Sequence, residues 1–144
     1  MSAKSESTTF GRHEVRYEAD TATICVIQDG SLDKTEAIAM HEAIGRYAGY
    51  SNPADPIYIL ADSRKAGSVN AEARRILADT SVARQTSCIA VFGASFATRV
   101  VFNLLMKAVS LSSSVKVSSI AVASEAEARA WLAEKRLAHS ARAP

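Results

Sequence analysis

The sequence predicts a single α/β domain, a mixed sheet of five strands covered on its faces by about four helices. Three observations carry that prediction. Two short runs rich in β-forming residues, His13 to Glu18 and Thr21 to Gln28, lie close together near the start, as a pair of antiparallel strands would. Two later runs, "IYILA" and "SCIAVFGA", are apolar almost throughout, the pattern of strands buried on both faces. Segments with helical spacing alternate with these runs, giving the order β-β-α-β-α-β-α-β-α, which implies helices packed over a mixed sheet.

Each element has its own local reason. "DGSL" closes the second strand, and Asp33 with Glu36 has capping-box spacing. Ala37, Met40, Ile44 and Tyr47 follow at helical intervals, so a helix is expected from about Lys34 to Ala48. "GYSNPADP" is turn material before "IYILA". Residues 62 to 69 read as a polar turn, and the next helix is expected to start near Asn70 and turn Ala73, Ile76 and Leu77 inward. "SFATRVVFNLLMKAVSL" is a helix apolar over most of its circumference, which requires extensive burial or a partner. "VKVSSIAVA" supplies the last strand. The closing helix begins at a second capping box, Ser124 with Glu127, and carries Ala128, Trp131 and Leu132 inward.

With 144 residues the chain suits one domain with one core, and needs no metal or disulfide to stabilise it. Residues 1–11 are Ser- and Thr-rich and read as a flexible tail, 12–138 as the domain, and 139–144 as a C-terminal tail. Composition is ordinary, 48% hydrophobic and 22% charged, and no apolar run reaches the length of a membrane-spanning helix, so stable membrane insertion is not expected. Met1 to Gly11 lacks the apolar centre of a signal peptide, which makes a cytoplasmic protein the expectation. Cys25 and Cys88 sit inside apolar runs and read as small core residues. Lys135, Arg136, His139 and Arg142 form a basic C-terminal end that complements a helix dipole.

No reaction is spelled out. His13, His41 and His139 have no Cys, Asp or His partner at metal-ligand spacing, so neither a metal site nor a catalytic base is expected. "FGASF" lacks the second glycine and central serine of a nucleophile elbow, and Ser95 is better read as a helix N-cap. No glycine-rich phosphate loop is present, so no nucleotide cofactor is expected. Asp62 ends a strand beside Ser63, Arg64 and Lys65, where a turn-forming, charge-paired aspartate is the simplest reading. With a net charge of only +2 and 6% aromatics not interleaved with the basic residues, nucleic acid is not an expected partner.

Three stretches give a more specific reading. "VIQDGSLDKTEA" (26–37), "IYILADSRKAGSVNAEARRIL" (57–77) and "ASEAEARAWL" (123–132) resemble, in order and spacing, the STAS domain of bacterial anti-sigma-factor antagonists, and its SpoIIAA-like branch in particular. The resemblance covers about residues 12 to 135. It implies a non-enzymatic regulatory module that binds another protein through the turn carrying Asp62, Ser63, Ser68, Asn70 and Glu72. In the antagonists a serine at the start of the second helix accepts phosphate. An ungapped count from Asp62 puts Ala71 at that position, leaving Ser68 and Ser63 as the nearby hydroxyls. The resemblance also leaves room for a carrier or sensor of a small hydrophobic molecule. Phe96, Val100, Phe102, Leu104, Leu105 and Met106 would supply the apolar surface for it. Phe102 and Met106, one helical turn apart, are expected to stay exposed in a monomer and, with Phe96, to favour a homo-oligomer.

Overall fold

The computed structural model describes residues 5–79, 87–112 and 116–142. Its elements run β1 (Glu6–Phe10), β2 (His13–Glu18), β3 (Thr23–Leu32), α1 (Lys34–Ala48), β4 (Ile57–Val69), α2 (Ala71–Leu77), β5 (Ser87–Phe92), α3 (Phe96–Ser112), β6 (Val117–Val122) and α4 (Glu125–Arg142). The strands lie in sequence order in one sheet. β1, β2 and β3 pair antiparallel, and β3 to β6 pair parallel. Parallel neighbours need a crossover, which α1, α2 and α3 supply in turn.

Side chains alternate across the sheet, and each face has its own core. On one face Val15, Tyr17, Ile24, Leu32 and Ile57 pack with Ala37, Met40, Ala43 and Tyr47 of α1 and Ala73 of α2. On the other, Cys25, Tyr58, Leu60, Cys88, Ala90 and Phe92 pack with Ala128 and Leu132 of α4. Both cysteines are buried and unbridged. Burial, with Glu18 nearby, pushes the Cys25 thiol up to about 11, so it is inert at neutral pH.

The helix starts follow their capping residues. The Asp33 carboxylate accepts the Glu36 N–H while the Glu36 carboxylate accepts the Asp33 N–H. The Ser95 hydroxyl accepts the Thr98 N–H, and the Ser124 hydroxyl accepts the Glu127 N–H.

Three expectations are corrected. The sheet has six strands, because Glu6–Phe10 of the expected tail pairs with β2 from Glu6 opposite Tyr17 to Phe10 opposite His13. An edge strand needs no apolar face. This one is held by its ladder and by polar contacts, Thr8 Oγ1 to Tyr47 Oη at 2.7 Å and the Tyr50 hydroxyl donating to Glu6 at 3.0 Å. Residues 1–4 lie outside the described residues. At the other end α4 runs on to Arg142, past the expected boundary at 138.

The second correction concerns β4, which does not stop at Ala61. It continues through the segment read as a turn to Val69. The third concerns α3. Phe102 and Met106 are half-buried, and the exposed large apolar side chains of α3 are Phe96, Val100, Leu104 and Leu111. A helix that is apolar most of the way round does not reveal from its sequence which side faces the sheet.

Candidate protein-binding surface

β4 is paired on both sides only up to Asp62, which lies opposite Ile27 of β3 and Phe92 of β5. Beyond that point its pairing continues with β3 alone, Asp29 opposite Lys65, Gly30 opposite Ala66 and Leu32 opposite Val69, with register shifts on either side of Asp29 and Gly30. The outer halves of β3 and β4 thus form a bulged two-stranded ribbon at the C-terminal end of the parallel strands. Open α/β sheets place their binding sites at this end.

Close backbone contact holds the ribbon. A Cβ on Gly67 would sit 2.8 Å from both the Gly30 carbonyl carbon and the Ser31 nitrogen, so only glycine permits this approach. Gly30 itself has φ of +89°. The Gln28 amide donates to the Gly30 carbonyl at 2.9 Å and to the Gly67 carbonyl at 3.3 Å, tying the strands across the bulges. The hydroxyls of Ser31 and Ser68 lie 3.2 Å apart on the exposed side.

At the base of the ribbon, Arg64 donates to Asp62 twice, Nε to Oδ1 at 3.0 Å and Nη2 to Oδ2 at 2.7 Å. The Arg64 N–H also donates to Asp62 Oδ1 at 3.1 Å. These bonds hold the Asp62 carboxyl below its ordinary value against the opposing effect of partial burial. The guanidinium lies 5.4 Å from the centre of the Phe92 ring. Gly93, with φ of +73°, makes room for it, since a Cβ there would fall 2.4 Å from Arg64 Cγ. Arg64 is therefore pre-organised, yet its side chain is 63% exposed.

The five expected surface residues separate. Asp62 is charge-paired with Arg64, and Ser63 is buried. Ser68 is exposed. Asn70 caps α2, its Oδ1 accepting the Ala73 N–H at 2.8 Å. Glu72 lies 3.8 Å from Lys34 Nζ on the exposed side of α1 and α2. Arg64 as a fixed, exposed contact and Ser31 as the partner of Ser68 were missed. The signal for Arg64 lay in its spacing: residues two apart in an extended strand share a face, so Asp62 and Arg64 meet once the segment is read as strand.

The other polar residues support the frame. His13 is 2% exposed. Its Nδ1 accepts the Asp29 N–H at 3.0 Å, which puts the ring proton on Nε2, 3.1 Å from both the Ser31 carbonyl and Glu36 Oε2. His41 reaches the Asp79 carbonyl and His139 reaches Asp55. Among the described residues no group of three or more His, Cys, Asp or Glu side chains could hold a metal ion. A cleft of about 410 Å³ at the far end of the sheet is lined by Ser5, Arg16, Glu18, Asp20, Thr21 and Arg129. Arg129 there donates to both Glu18 oxygens, at 2.8 and 3.0 Å, and to Glu125 at 2.8 Å. Its polar, ion-paired lining does not suit an apolar ligand. No described helix is long and apolar enough to cross a membrane.

The sequence model of the SpoIIAA-like family matches residues 23–133. A similar solved structure is that of the anti-sigma factor antagonist SpoIIAA in its unphosphorylated form. It is 12% identical, with a TM-score of 0.47, and the match covers 90% of this chain and 98% of that one. No curated protein matches the chain.

Proposed function

We propose, because the chain belongs to the SpoIIAA-like family, that it acts as a non-enzymatic regulatory module. It binds another protein through the β3–β4 ribbon and the first turn of α2. The observation that carries this reading is Arg64, fixed by Asp62, Phe92 and Gly93 while most of its side chain faces solvent. A pre-organised arginine loses little entropy on docking, and arginine is enriched among the residues that dominate protein interfaces. Ser31, Lys65 and Ser68 extend the polar surface along the ribbon.

Phosphate control at the antagonists' usual position is not part of this proposal. Ala71, the first residue of α2, has no hydroxyl, and Asn70 already caps the helix. Intact mass measurement of protein purified from its own host is expected to show no stoichiometric phosphate on Ser68.

The test of the binding surface is affinity purification from that host with the wild type and with Arg64→Glu. Loss of a stoichiometric partner in the variant, with unchanged circular dichroism, is the expected result. Equal recovery of the partner by both proteins overturns the assignment of this surface.

A further inference from the structure

We infer that the partner meets the ribbon with a cluster of carboxylates, Asp or Glu side chains seated on Arg64, Lys65 and Arg12. This rests on the reading of the ribbon as a protein-binding surface and specifies the chemistry of what binds there. In a regular strand the adjacent residues Arg64 and Lys65 would point to opposite faces. Here β4 takes three steps, Asp62 to Lys65, while β3 takes two, Ile27 to Asp29, and the bulge brings both cations to one side. Asp62 lies opposite Ile27 and Phe92, which pack in the core beneath α4. Lys65 lies opposite Asp29, two residues beyond Ile27 and so on the same face. Arg12 joins them from the β1–β2 turn, its Nη2 donating to Asp29 Oδ1 at 2.6 Å.

The charges on this face are layered. The two aspartates lie beneath, their side chains 17% and 25% exposed, while the guanidinium groups they hold stand outward, Arg64 at 63% and Arg12 at 76%. Lys65 is exposed as well. Other carboxylates at this end of the sheet are engaged elsewhere: Asp33 and Glu36 cap α1, Glu72 faces Lys34, and Glu125 holds Arg129. A partner approaching this face meets cations first.

Arg64 also keeps an open edge. Its Nε and Nη2 are spent on Asp62, which leaves Nη1 without a hydrogen-bond partner among the described residues. The Nη1–Nη2 edge can therefore donate two parallel bonds to a second carboxylate, the geometry that arginine serves best. Two copies of this surface would set cation against cation, so self-association through it is disfavoured. A nucleic-acid backbone spreads its charge along a strand and calls for a long basic track, whereas these three cations sit on one short ribbon of a chain with a net charge of only +2.

The partner recovered by affinity purification is the probe, titrated against the full-length chain. A carbodiimide, which joins an amine to a carboxylate in direct contact with it, is expected to couple Lys65 to an Asp or Glu of that partner. Affinity should fall about tenfold for Arg12→Gln with Lys65→Gln and weaken with added salt. Lys65→Arg should keep the affinity and lose the coupling. Replacing the coupled acid by Lys should weaken binding to the wild type and restore it to Lys65→Glu. Melting curves check that each variant is folded. If Arg64→Glu abolishes recovery of the partner but affinity is indifferent to salt and to the two glutamines, the surface stands and the carboxylate chemistry is overturned. Coupling of Lys65 only to a second copy, no coupling at all, or recovery that depends on bound nucleic acid overturns it too. Equal recovery by wild type and Arg64→Glu, or recovery of no partner, overturns both.

Discussion

Helices α1 and α3 differ by only two residues in length, yet they relate to the sheet in opposite ways. α1 turns Ala37, Met40, Ala43 and Tyr47 into the core and shows mostly polar groups to solvent. Among the described side chains of α3, Val109 is the buried one, while four large apolar side chains are exposed. The first helix is amphipathic enough to be satisfied by its own domain; the second carries more apolar surface than one sheet face covers. Apolar content measures how much cover a helix needs, and only packing shows how much of it the fold supplies.

The sharpest way to break this comparison is a pair of truncations. Met40→Ala, at a 4% exposed position, should cost about 2–5 kcal/mol through lost burial and the cavity left behind. Leu104→Ala should change the stability of the isolated chain by no more than about 0.5 kcal/mol. Urea denaturation of the two variants gives the answer, and a comparable loss in both would show α3 to be covered from outside.

The ribbon comes next in size. Gly67→Ala places a Cβ 2.8 Å from the β3 backbone, where neither strand can give way cheaply. A loss of about 1–3 kcal/mol is expected, together with faster amide exchange over residues 28–32 and 64–69. Protected amides there would mean that the close approach is dispensable.

Helix starts are predicted to matter less. Asp33→Ala removes a complete capping box from α1 and should cost about 1 kcal/mol. Ser95→Ala at α3 should cost no more than that, because α3 has less native packing to lose. A larger penalty at Ser95, read from the melting temperature, would make α3 the better anchored helix.

The smallest effect is on the acid limb of stability. Arg129 holds the Glu18 carboxyl below its ordinary value, outweighing the opposing desolvation. A carboxyl lowered in the folded state stabilises the fold above the ordinary carboxylate range and loses that contribution as pH falls through its folded value. The Arg129 side chain is 38% exposed, and solvent screening limits the pair to less than about 1 kcal/mol. Glu18→Gln should flatten the fall in urea midpoint between pH 5 and pH 3, to about that extent. An unchanged slope would remove Glu18 from the acid response.

Much of this was written in the order of the residues. Asp33 with Glu36 placed the start of α1, Asn70 the start of α2, Ser95 that of α3 and Ser124 that of α4, because capping is chemistry between neighbours in the chain. The strand character of "IYILA" and "SCIAVFGA" and the burial of both cysteines were legible for the same reason, since an apolar run has to be covered on both faces. The proposed surface lies on the segment that the sequence picks out, but Arg64 was read there only as a neighbour of Asp62, and Ser63, named with Ser68 as a nearby hydroxyl, is buried.

What the chain order could not carry is whatever depends on a distant partner. Residues 62 to 69 look like a turn because they are polar and contain glycine. They become strand because Gly67 lets Gly30 and Ser31 approach, a contact across 37 residues of chain. Glu6–Phe10 becomes a strand because β2 offers it a ladder and Tyr47 a hydrogen bond. Which side of α3 faces outward was decided by the sheet beneath it, because a nearly uniform apolar helix has no phase of its own until something packs against it.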